Sequence, residues 1–92
     1  MHFILECIDK PDSLDLRMAT RPPHLEYLTG LSDKITIAGP ILSEEGKPVG
    51  SLLILDVADR AEVEAIAAGD PYAKAGLFAS VTIRPYRKVL PA

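Results

Sequence analysis

The chain has 92 residues, 13 acidic against 10 basic for a formal net charge of −3, 48% hydrophobic residues and a single cysteine. That length leaves room for one domain, residues 1–92, and the scattered Lys and Arg argue against a nucleic-acid partner. One cysteine, Cys7, excludes an internal disulfide and fits a reducing, cytoplasmic setting.

Residues 2–8 alternate, with Phe3, Leu5 and Cys7 on one side and Ile4, Glu6 and Ile8 on the other, which predicts a strand. Glu6 interrupts the apolar run, so the segment reads neither as a secretory leader nor as a membrane span. The turn "DKPDS" (9–13) offers Asp12 or Ser13 as an N-cap, and a helical pattern follows to about Leu28, with Gly30 as its stop. "KITIAGPIL" (34–42) predicts a second strand, "SEEGKPVG" (43–50) a polar loop, and "SLLILDV" (51–57) a third strand that is apolar on both faces. Asp59 opens a second helix with Glu62 three residues on, and Val63, Ile66 and Ala67 form its apolar side. Gly69 suits a left-handed closing position, and the last strand is predicted over 78–89.

The order β-α-β-β-α-β predicts an α+β, ferredoxin-like fold: two helices on one face of a four-stranded antiparallel sheet. A chain this short buries only about 60–65% of its unfolded surface, so its apolar excess calls for a partner. The second sheet face also needs cover, and the sheet of another copy would supply it, giving a homodimeric α+β barrel.

On a helical wheel Leu14, Met18, Leu25 and Leu28 make a stripe that should face the sheet, yet Arg21 falls inside it. Arg17 and His24 lie along its edge. Such charges either snorkel to solvent or open onto a polar cavity. Pro22 and Pro23 either kink the helix or occupy the first turn of a new segment capped by Thr20. Gly39-Pro40 inside a strand pattern marks an edge, a bulge or a close approach by a ligand, and Ser43 follows at the strand's end. Asp70-Pro71 reads as an N-cap followed by proline at the first helical position. Because the two helices share a sheet face, Asp70 is also a candidate partner for one ring nitrogen of His24.

In order and spacing, "FILECIDKPDSLDLR", "RPPHLEYL" (21–28), "AGP" (38–40), "DPYAKAGL" (70–77) and "VTIRPYRKV" resemble the YCII-related family from end to end. The resemblance implies the ferredoxin-like fold, a dimer of α+β barrel character, and an active-site pair matched here by His24 and Asp70. One branch of that family removes HCl from chlorinated, hydroxylated aromatics. Pro23 stands where a small helix former is expected, and the 43–50 loop is short.

Two functions follow as expectations. In the first, an enzyme of lyase, dehydrochlorinase or isomerase type uses His24 as general base, oriented by Asp70, on a small anionic or hydroxylated compound. Arg17 and Arg21 would steady an oxyanion, Gly39, Pro40, Ser43 and Tyr72 would line the site, and Tyr27 is a further possible wall. No His, Cys, Asp or Glu set has metal-ligand spacing, so neither metal nor cofactor is expected, and Cys7 reads as a core residue. In the second, the chain is a dimeric binding or accessory module that holds a small anion unchanged.

Overall fold

The computed structural model describes residues 1–92. Strands β1 (His2–Asp9), β2 (Ile35–Leu42), β3 (Pro48–Asp56) and β4 (Phe78–Tyr86) form one antiparallel sheet in the order β2-β3-β1-β4. Helices α1 (Leu14–Thr29), α2 (Arg60–Gly69) and the one-turn α3 (Pro71–Lys74) complete the ferredoxin-like βαββαβ arrangement, with a 3₁₀ turn (Ser32–Lys34) leading into β2. Two strand limits differ from expectation by three residues, the others by one or none. Hairpin pairing carries β3 back to Pro48, opposite Leu42, so the loop shrinks around Gly46, whose φ of +84° needs a glycine. β4 stops at Tyr86, where its partner β1 runs out at His2.

The period-two pattern places the core. Phe3, Leu5 and Cys7 stand opposite Leu55, Leu53 and Ser51, and all six are buried on the helix-bearing face. Val63 and Ile66 of α2 close this core above Leu55 and Val57. Asp59 caps α2 by accepting from the Glu62 backbone N–H at 3.0 Å, while the Glu62 side chain accepts from Ala58. On the opposite face Ile4, Leu52 and Ile54 line up with Ile37 and Ile41 of β2, and Ile37 is 59% exposed.

Helix α1 corrects the wheel in part. Of the expected stripe, Leu28 packs half-buried against the core while Leu14, Met18 and Leu25 are exposed, and the residues fully buried on this helix are Arg17 and His24. The polar edge turns inward because strand ends and a buried carboxylate meet it there, so charge is paired instead of solvated. The helix runs unbroken through Pro22 and Pro23, whose rings lie on the exposed side. They leave the carbonyls of Met18 and Ala19 without their usual i+4 donors.

Gly69 is corrected as well. It lies inside α2 and does not adopt a left-handed conformation; positive φ occurs at Asp12, Gly46 and Gly76 instead. What Gly69 supplies is space, because a Cβ there would sit 2.6 Å from the Tyr27 hydroxyl.

Candidate functional site

The chain leaves α2 at Asp70, whose extended backbone (φ −65°, ψ 129°) ends one helix and begins the next. Its Oδ1 accepts from the Tyr72 backbone N–H at 2.9 Å, with Pro71 at the first helical position. The same carboxylate receives His24 Nδ1 at 2.8 Å on Oδ1 and 3.0 Å on Oδ2. The helix-cap role and the histidine-partner role of Asp70 therefore coexist. A carboxylate is an acceptor, so Nδ1 carries the proton in this bond and Nε2 is left as the acceptor nitrogen. Both side chains are nearly sealed, at 8% and 9% exposure.

Tyr72 stacks on His24 with ring centroids 3.8 Å apart and planes 15° from parallel. The Arg17 guanidinium carbon lies 4.7 Å from the centroid of the same tyrosine ring. Arg17 and His24 are seven residues apart on α1, a rise of about 10 Å, so the phenol ring fits between them. Arg17 is only 4% exposed. Its Nε donates to Asp9 Oδ2 at 2.8 Å, and its Nη2 donates to Ser51 Oγ at 2.6 Å and to the Gly50 carbonyl. Nη1 has no protein acceptor. Asp9 Oδ1 is buried without any hydrogen-bond partner, which leaves this ion pair costly to disturb.

These groups border a cavity of about 320 Å³ between α1 and the β2–β3 side of the sheet. Arg17, Arg21, His24 and Tyr72 give it a polar wall; Met18, Leu25 and Leu53 are among its apolar residues. Arg21 lines the mouth with its side chain exposed, so of the two arginines it is the one that reaches solvent. Gly39 and Pro40 lie on the cavity wall from β2, which is an edge strand; the register shifts of that strand fall elsewhere, between Ile35 and Ile37 and between Ile41 and Leu42. Ser43 does not join them: its hydroxyl accepts from the Lys47 backbone N–H in the β2–β3 turn, and it borders a separate groove.

Cys7 is buried beneath the site, and burial, reinforced by the Asp70 and Asp9 carboxylates, pushes its thiol up to about 12. It packs in the apolar core, a setting that disfavours the thiolate. Tyr27 is displaced the same way, chiefly by burial and then by Asp70, and its hydroxyl donates to the Ile66 carbonyl at 2.9 Å. No group of three or more His, Cys, Asp or Glu side chains is placed to hold a metal ion.

Asp9 and Ser51 went unread in the sequence. The signal was present, since both continue the inward period of their strands, after Cys7 and before Leu53. Polar residues on an inward face need a partner, and Arg17 is that partner.

The profile of the YCII-related domain matches residues 1–87. The chain is 32% identical to protein YciI of Escherichia coli O6:H1, over 97% of this chain and 99% of that protein. It superposes with a TM-score of 0.89 on a 5-chloro-2-hydroxyhydroquinone dehydrochlorinase from Burkholderia phenoliruptrix AC1100, solved in complex with 2,5-dihydroxybenzoquinone. That pair shares 34% identity and covers 95% and 94% of the two chains. An antibiotic biosynthesis monooxygenase superposes at a TM-score of 0.57 with 15% identity, covering 96% and 97%, a likeness of fold alone.

Proposed function

Since this chain belongs to the YCII-related family, we propose that it is a small-molecule enzyme in which His24 and Asp70 perform general acid–base chemistry. The observation that carries the reading is the buried His24 Nδ1–Asp70 bond on the wall of a cavity sized for a compact ligand. His24 Nε2 takes a proton from an acidic O–H or C–H of the substrate, and the electron pair stays behind as an oxyanion or enolate. Asp70 stabilises the imidazolium that forms. Arg21 at the mouth and the free Nη1 of Arg17 offset the charge on the substrate. The proton returns from Nε2 at a second position, an isomerase step, or a leaving group departs with its bonding electrons and Nε2 passes the proton to water, a lyase step. The dehydrochlorinase neighbour and its quinone ligand support a hydroxylated or anionic ring as substrate.

The functional unit in this reading is a cytoplasmic homodimer of single-domain chains. Its support is the uncovered sheet face of Ile4, Ile37, Ile41, Leu52 and Ile54, which a second sheet would bury.

The test is a panel of chlorinated hydroquinones and small hydroxy acids, followed by mass spectrometry. Replacing His24 by Ala should lower kcat/KM on the order of 10²- to 10⁴-fold when assayed below the variant's own unfolding midpoint, which falls because Asp70 is left buried without its partner, with the oligomeric state unchanged. An unchanged rate ends the acid–base role. Recovery of bound but unaltered compound, with no turnover anywhere in the panel, favours a ligand-binding module.

A further inference from the structure

We propose that Tyr27 and Gly69 form a clasp that sets where Asp70 stands relative to His24, and that both are positioning residues of the site. The inference rests on the His24–Asp70 reading and deepens it.

Gly69 is the anomaly that points there. Glycine inside a helix wastes conformational entropy unless its missing side chain is needed, and with no positive φ Gly69 has no backbone reason to be glycine. Its surroundings give the reason. A Cβ at this position would meet Tyr27 at three atoms: Oη at 2.6 Å, Cζ at 3.2 Å and Cε1 at 3.5 Å. The tyrosine ring thus lies against bare backbone at the last turn of α2. Its hydroxyl reaches past Gly69 to the Ile66 carbonyl, one of the last carbonyls of that helix.

The consequence for the site follows from chain geometry. Tyr27 is three residues after His24, so the two project from neighbouring positions on α1. Gly69 immediately precedes Asp70, where the backbone turns out of α2. The two contacts between these segments, Tyr27 on Ile66–Gly69 and His24 on Asp70, are separated by only a few residues on each side. Fixing the first fixes the distance available to the second. An added methyl at 69 must push the end of α2 away from α1, which lengthens the bond from Nδ1 to the carboxylate, or swing the ring aside, which breaks the Tyr27–Ile66 bond that holds the two segments together.

The test reads that bond directly and needs no substrate. The imidazole N–H proton of His24, observed by NMR in the full-length protein, exchanges slowly with water while Asp70 holds it. Four variants are compared with the wild type: Asp70→Ala, Gly69→Ala, Tyr27→Phe and the double variant Gly69→Ala/Tyr27→Phe. Asp70→Ala, which leaves no side-chain acceptor, should abolish the protected signal. Gly69→Ala should accelerate exchange on the order of tenfold, a coupling of the size contacting residues show. Tyr27→Phe alone should have the smaller effect, because the ring stays and only its hydroxyl is lost. The double variant is decisive. Removing Oη takes away the 2.6 Å clash and leaves only the tight 3.2 Å contact with Cζ, so slow exchange should recover most of the way toward the Tyr27→Phe level.

A Gly69→Ala protein with wild-type exchange overturns the clasp, and so does a double variant no better than Gly69→Ala. If Gly69→Ala fails to fold, a folded double variant with the protected proton supports the proposal and an unfolded one overturns it. An undiminished signal in Asp70→Ala refutes the histidine–aspartate pair itself and leaves the clasp with nothing to position.

Discussion

The two sides of the helix-bearing face are built differently. Under α2 the helix contributes Val63 and Ile66, which join Leu55, Val57 and Phe3 in one buried apolar cluster. Under α1 the helix contributes Arg17 and His24, its methionine and its leucines other than the half-buried Leu28 stay exposed, and a cavity of about 320 Å³ remains between helix and strands. One side is a sealed core and the other is the candidate site. The difference teaches where a small domain can keep buried polar groups: on the helix whose inward positions are polar, each held by a specific partner, while the apolar helix supplies stability. Tyr72 and Asp70 come from the seam, the one-turn helix that follows α2 and reaches across to α1.

The comparison is broken or sharpened by perturbing each side. Arg17→Ala is the largest expected loss, about 3–5 kcal/mol, because Asp9 is left buried without its cation. The double variant Asp9→Leu/Arg17→Met should recover most of that stability in urea unfolding while leaving the site without its guanidinium. If Arg17→Ala costs nothing, the polar side is solvated and the contrast fails. Leu55→Ala on the sealed side should cost about 2–5 kcal/mol, with no change in ligand affinity beyond that caused by the unfolded fraction. A selective loss of binding there would show that the two sides are coupled.

The smallest effect lies at the rim. The Lys34 ammonium, together with the Ala58 backbone N–H, holds the Glu62 carboxyl below its ordinary value of 4.5. A folded-state value that is lowered gives stability present above the unfolded value and lost as pH falls through the folded one. Thermal unfolding of Glu62→Gln should therefore lie slightly below the wild type at neutral pH, and the two should converge as pH drops below about 4.5. A gap that persists in acid would assign the contribution to the hydrogen bonds of Glu62 instead of its charge.

The features legible in the sequence were the local ones. Alternation at Phe3, Leu5 and Cys7, the Asp59 cap of α2 and the Asp70-Pro71 helix start each depend on residues within a turn or two, so spacing alone reveals them. The β-α-β-β-α-β order of these elements, with the helices on one face, followed from the same signals. His24 and Asp70 could be nominated as partners, but their bond spans 46 positions of chain and rests on α1 and α3 lying side by side.

What only the tertiary structure decided is which side chains of α1 are sealed from water. Hydropathy assigned the inner face to Leu14, Met18, Leu25 and Leu28, because leaving apolar surface in water is unfavourable and burying charge is worse. Met18, Leu25 and Leu28 do border the cavity, but the fold buries Arg17 and His24 more deeply by supplying partners that no window of sequence contains: Asp9 from the end of β1, Gly50 and Ser51 from β3, and Asp70 from the seam. The meaning of Gly69 was hidden for the same reason. Its role depends on the Tyr27 ring arriving from another helix, and a close approach between distant segments leaves no local mark beyond the glycine itself.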